Sequence, residues 1–444
     1  MLMLRRRSII RTFIALSYQQ TRSIQASSAV NMATAYHIQV PVSDTGLLKL
    51  KQNDETAIKV TELLQRDLKE HHVFFNASRF HNHIVHHLLA LYGTGATPED
   101  LDKAYAANTS YQLGAKPTSK IAVQDLSKGW TKDCPYLGEG DHYADFLKFF
   151  QDEIQERGIL HPLIQLMYGI EWSQPTIIAQ GLAQAAVHNN NYGALLSKIE
   201  KSASSDPPKS FSTAPELIES VRRNEKLANC VQWGDDDNIK DGVFGRGWDQ
   251  VLELLKQVRV KPEEVEEKTA EMINSIAYIS AATSIHPPTN QDGISSSCNH
   301  NLNASLFFVT ISRLPFITPE QNARFLEWKI RFDIIQYIAR GSPQLNLQVI
   351  KSRPLPQDAV SKPEDLLPRY HKIVDDGHSI KVVRSLLIAQ ELAGKHAGAP
   401  WIRFEDGETW LKVHYLLLKG AEAENRWVFS TGFEEAWEDI PKAK

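Results

Sequence analysis

Cysteine is scarce: Cys134, Cys230 and Cys298 are the three in 444 residues. An odd, widely spaced set builds neither a disulfide framework nor a four-thiolate zinc site, and it suits a reducing compartment. Clustered basic charge is absent beyond the first residues. With 49 Lys and Arg against 53 Asp and Glu, the formal charge of -4 offers no surface for tracking phosphates, so nucleic acid is not an expected partner. No apolar run approaches the ~20 residues of a spanning helix, so no membrane span is expected. Familiar catalytic signatures are missing too. "YGTGAT", "GEGD" and "GVFGRG" do not form the strand-Gly-x-Gly-x-x-Gly-helix unit of a dinucleotide site. There is no Gly-Lys-Ser/Thr phosphate loop, no His-Glu-x-x-His zinc pair and no Gly-x-Ser-x-Gly elbow.

What is present is helix, clearly punctuated. Thr97-Pro98-Glu99-Asp100 and Thr318-Pro319-Glu320-Gln321 each place a hydroxyl cap, a proline at the first helical position and an acid or amide at the third. Lys261-Pro262-Glu263-Glu264 and Lys362-Pro363-Glu364-Asp365 start helices by the same logic. Three-to-four spacing follows, as in Phe325, Trp328, Phe332, Ile335 and Ile338, or Leu252, Leu255 and Val258. Alternation suggests short strands only at "LNLQVI" and "PWIRFED". Loops are expected at 109–140, 202–213, 233–247, 286–297 and 352–362. The fold class is mainly α: one large helical body of antiparallel helix pairs over residues 32–444. Residues 1–31 stand apart. They carry Arg5, Arg6, Arg7, Arg11 and Arg22, and the first acid of the chain is Asp44, which is the composition of a mitochondrial presequence. The alternatives are a disordered leader, or an over-long reading of the gene in which Met32 starts a cytosolic protein.

Histidine is what the missing motifs leave. "HNHIVHHLLALYGTGATPED" packs His81, His83, His86 and His87 into the start of an amphipathic segment, and His83 and His87 share a helical face. His161 precedes Pro162 and an apolar run that ends near Glu171. His300 precedes an apolar helix, and His378 and Lys381 lie one turn apart on another. Taken singly, each reads more simply as a hydrogen-bonded core histidine, Lys381 as a snorkelling cation or a partner of Asp375 or Asp376, and Glu171 as a helix end. Spacing alone does not assemble them.

The ordered segments "FHNHIVHHLLALYGTGATPEDLDKAY", "LHPLIQLMYGIEW" with "GLAQAAVH", "CNHNLNASLFF", "YIARGSPQL", "DDGHSIKVVRSL" and "WVFSTGFEEAW" resemble the questin oxidase-like proteins of filamentous fungi, from about residue 50 to about 438. The resemblance implies a mainly helical fold. It also implies oxidative opening of the central ring of an anthraquinone-type polyketide, beside the quinone carbonyl. Carried over position by position, the family's recurrent polar residues correspond to His83, His161, His300, and His378 with Lys381. The chain departs at Gln165 and Met167, where a second histidine would stand in the "HPLI" segment. That position is expected to line the pocket.

Cleaving an aromatic carbon–carbon bond with dioxygen needs a one-electron route, which flavin, haem or non-haem iron supplies. The flavin loop is missing, so iron(II) held by the four histidines is expected, with dioxygen and an aromatic polyketide as partners. An anionic oxygen donor would hold the ferric state better. Lys381, desolvated and neutral, could supply one as a carbamate. Otherwise Lys381 stays an ammonium facing the substrate, and Glu171 or water completes the shell. His87 is the substitute ligand if one of the four fails. Phe307, Trp172 or Tyr168 would stack on the substrate. A separate reductase that prepares the substrate is a further possible partner, and two readings compete: a Baeyer-Villiger monooxygenase using NADPH, and a helical, HEAT-like binding scaffold without catalysis.

Overall fold

The capping residues do what their spacing predicts. In the Pro98–Thr109 helix the Thr97 hydroxyl accepts from the Asp100 amide, and the Asp100 carboxylate accepts from the Thr97 amide. Thr318 and Gln321 close the same box on the Pro319–Ala339 helix. Each box satisfies amides that the first turn leaves without partners. Pro262 opens a 3-10 turn that leads into the long Val265–Ala282 helix, and Pro363 one that leads into the single-turn Leu367–Tyr370 helix.

The computed structural model describes residues 33–76, 78–128, 134–156, 163–188, 193–205, 212–286, 291–292, 294–315, 317–423 and 427–440. The expected leader (1–31) and His161 lie outside them. The described residues are mainly helical, as expected, and their strands are two-residue pairings: Ile285–His286 with Gln291–Asp292, and Ile294–Ser295 with Trp427–Val428. None of the described helices is long and apolar enough to cross a membrane.

Two expected strands are not strands. "LNLQVI" runs into the Leu347–Ser352 helix, and 400–406 is irregular. Asn346 decides the first. Its amide group donates to the carbonyls of Ala282, Ile285 and Gln344, which anchors the chain before any ladder partner is available. The expected loop at 109–140 contains the Lys120–Ser127 helix, and that at 233–247 contains a π-helix, Asn238–Arg246.

The chain divides into two compact units. The first comprises Met1–Asn190, Arg313–Ile317 and Val374–Ile380, and the second the remainder. In the first, Val73, Phe74, Leu126, Phe146, Phe149, Phe150, Leu182 and Val187 form one apolar cluster. The Leu163–Glu171 and Pro175–Ala186 helices approach closely. A Cβ on Gly169 would lie 2.7 Å from the Ile178 nitrogen, and one on Gly181 3.0 Å from that of Leu166.

In the second unit the Val265–Ala282 and Pro319–Ala339 helices are buried along most of their faces. Burial there takes in charge. Arg331, 0 % exposed, donates to the carbonyl of Leu255 (3.3 Å), the last residue of the Trp248–Leu255 helix, and to that of Val258 (2.9 Å) beyond it, and pairs with Glu327 at 3.2 Å. Lys329 pairs with Asp333 within 2.6 Å.

His414 is fully buried in the Gly407–Glu422 helix, and neither ring nitrogen has a partner among the described residues. Burial pushes its pKa down to about 3. A histidine depressed in the fold binds its proton more readily when unfolded. Its stabilising contribution is therefore complete above about pH 6.5 and is lost as the pH falls toward 3. Between pH 7 and pH 4 this one ring is expected to remove on the order of 3 kcal/mol. His414→Leu should flatten urea-denaturation midpoints across that range. An unchanged slope would show that another group carries the acid sensitivity.

Candidate metal centre

The segment after His71 doubles back on itself. The Asn82 amide donates to the Val73 carbonyl at 2.7 Å and the Phe75 amide to Phe80 at 2.8 Å. Asn82 then fixes the start of the Ile84–Gly93 helix. Its side chain donates to the buried Asp67 carboxylate at 2.8 Å and accepts from the Ile84 amide at 2.9 Å. His83, the residue between, is the N-cap, and its ring projects from a held backbone.

A second held turn meets it. Asp375 accepts from the amides of Gly377 (2.7 Å) and Ser379 (2.9 Å), which tie down the first turn of the His378–Lys395 helix. Asn108 donates to the Asp375 carbonyl at 3.2 Å. Gly377 has φ +87°, and a Cβ there would lie 2.5 Å from the His87 ring. His83 and His87, which share a face as the spacing predicts, thus both look onto residues 375–378.

Between the two turns lies Asp376. One carboxylate oxygen accepts from His83 Nδ1 at 2.9 Å, and the other from His378 Nδ1. The rings stand at 87° with centroids 4.8 Å apart, and both side chains are about 15 % exposed (16 % and 14 %). An ionised carboxylate only accepts, so it selects the tautomer with the proton on Nδ1 in both rings and leaves Nε2 as the ligand atom of each.

Within the first unit His83 and His378 thus offer two imidazoles side by side, and the third expected histidine, His300, belongs to the second unit. A donor set of imidazoles, two oriented from behind by a carboxylate, fits a divalent first-row cation.

The other expected residues are placed as follows. Lys381 is 4 % exposed, one turn past His378 on the same helix. His87 is 3 % exposed and accepts from Asn108 at 3.4 Å. Glu171 accepts from the Leu47 amide at 2.8 Å and so holds the turn at 44–47. Gln165 is buried, bonded to His86 Nε2 at 2.6 Å and to Gln180 at 2.9 Å, in a buried polar chain. Tyr168 stacks on His86 at 5.5 Å, Trp172 packs on Tyr92 at 5.2 Å and Phe307 on Phe308 at 5.5 Å, all three buried.

Sequence reasoning passed over Asp376 as a ligand-orienting group and weighed it only as a partner for Lys381. The signal was the run Asp375-Asp376-Gly377-His378, in which one acid serves the backbone and the next the rings.

The profile of the questin oxidase-like family matches residues 80–159 and 156–386. The chain belongs to that family. Its relatives include a questin oxidase of Aspergillus fumigatus (31% identical over 425 residues, covering 85% of this chain and 92% of that protein). The Baeyer-Villiger oxidase AgnL3 of Paecilomyces divaricatus is 30% identical over 91% of this chain and 96% of its own. The Baeyer-Villiger monooxygenase dmxR6 of a Cryptosporiopsis species is 31% identical over 90% and 97%. Membership makes the protein an oxidase-family enzyme, and the scaffold reading drops away.

Proposed function

We propose that this enzyme opens the central ring of an anthraquinone-type polyketide with dioxygen at a non-haem iron held by His83 and His378, with His161, His300 and Lys381 as further ligands from the family pattern. The observation that carries the metal is Asp376, whose two oxygens meet Nδ1 of two imidazoles that start 295 residues apart in the chain (378 less 83). The name questin oxidase supports the substrate class, and all three relatives' names support the oxidative chemistry.

Iron at this position would supply the one-electron route by which triplet dioxygen reacts with a closed-shell ring. The chain's own residues do the rest. Asp376 keeps the proton at Nδ1 of both rings and fixes their planes. Lys381, buried on the helix that His378 starts, combines as a neutral amine with carbon dioxide; a nitrogen–carbon bond forms, a proton leaves, and an anionic oxygen donor results.

Asp376→Asn tests the reading. Iron content and affinity are measured on protein purified and reloaded anaerobically, alongside oxygen uptake with a reduced dihydroxyanthraquinone. Wild type should take up one iron per chain. The variant should bind it about 10–100-fold more weakly and lose turnover in step. Equal affinity in the two proteins would overturn the role of Asp376, and wild-type turnover that needs NADPH and a bound flavin and proceeds without iron would establish the Baeyer-Villiger alternative that two of these relatives' names carry.

A further inference from the structure

The aromatic residues expected to stack on substrate are buried, yet the first unit leaves others in the open beside His83. Phe80 is 62 % exposed and Tyr111 41 %. Between them stands Phe75. It stacks on Phe80 at 6.0 Å and 25°, meets Tyr111 edge-on at 5.2 Å and 81°, and meets the His83 ring edge-on at 6.5 Å and 74°. Four rings thus run without a break from solvent to an imidazole bonded to Asp376.

Large exposed rings are costly to keep on a soluble surface unless something covers them. These are also held in place. The backbone bond from Phe75 to Phe80 and the bond from the Phe80 amide to Asn76 Oδ1 (3.1 Å) fix one pair. The Tyr111 hydroxyl donates to Asn108 Oδ1 at 2.5 Å, and the same Asn108 holds the Asp375 carbonyl, so the rim and the turn that carries Asp376 are joined through one side chain. Burial and the carboxylates of Asp376 and Asp375 push the Tyr111 pKa up to about 12, which keeps the phenol protonated.

Taking the proposed reaction as its basis, we propose that Phe75, Phe80 and Tyr111 form the substrate-recognition rim, a stacking platform that receives a neutral, planar, fused-ring quinone and delivers it edge-first to His83. Flat faces match flat faces, and electron-rich rings favour an electron-poor quinone. The two acids behind Tyr111 select against an anionic ring.

Binding of 1,8-dihydroxyanthraquinone, followed by its absorbance shift with metal-free and with iron-loaded full-length protein, tests this. Phe80→Ala should raise its Kd about tenfold with iron content unchanged, and should raise KM far more than it lowers kcat. Phe80→Trp should restore binding. Ile58→Ser, a similarly exposed apolar residue elsewhere on the first unit (66 %), should change nothing. A Kd for Phe80→Ala within twofold of wild type overturns the rim, even if iron and turnover are as proposed. Loss of binding in Phe80→Ala with a wild type that never takes up iron keeps the rim and sinks the iron.

Discussion

Gly377→Ala is expected to lower stability by about 2–6 kcal/mol, from two sources of similar size. The backbone at φ +87° costs a residue with a Cβ roughly 1–3 kcal/mol. The new methyl would also lie 2.5–2.9 Å from three atoms of His87, a rigid buried ring rather than the far end of a flexible chain. Relief by displacement costs roughly another 1–3 kcal/mol. The displacement matters more than the energy, because Gly377 lies between Asp376 and His378. Urea denaturation gives the first quantity and iron affinity the second; both should fall together. Gly377→Ala with His87→Ala should recover the steric half of the loss and keep the backbone half. Full recovery would show that φ carries no strain here, and no recovery that the ring was never the obstacle.

Local chemistry was legible in the sequence, and long-range chemistry was not. Thr97, Thr318, Pro262 and Pro363 start helices where their spacing says, because a cap is satisfied within four residues of itself. The shared face of His83 and His87 follows from helical period alone. By contrast, no periodicity brings residue 83 to residue 376. What could be seen was that Asp375-Asp376-Gly377-His378 is a turn; that its second acid would face two rings needs the fold. The exposure of aromatic rings was illegible for a related reason. Tyr168, Trp172 and Phe307 stand in apolar runs, which are the runs a helix buries, whereas Phe80 lies in a polar turn next to His81 and looks unremarkable until its exposure is known. The π-helix at 238–246 hid behind three consecutive acids and four glycines, the composition of a loop.

Lys329→Met is expected to cost about 3–5 kcal/mol, since it leaves Asp333 buried without its counter-charge. The carboxyl is 3 % exposed, and even with the ammonium in contact desolvation pushes its pKa up to about 6. A carboxyl raised in the fold binds its proton more tightly there than when unfolded, so the native protein loses stability as the pH rises from about 4 through 6. Without Lys329 the folded pKa rises further and the window extends upward. The variant should therefore regain stability on acidification through this window, relative to wild type, as denaturation at pH 5 and pH 8 would show. Lys329→Met combined with Asp333→Leu removes both charges and should restore stability at either pH to wild type or above it. Such a repair tests what the pair is for. Lys329 also donates to the Asn301 carbonyl at 3.2 Å, one residue beyond His300, and that bond fixes the helix on which the ring stands. If the double variant is as stable as wild type but binds iron more weakly, the buried pair serves the position of His300. If iron affinity is also restored, the pair serves the core alone.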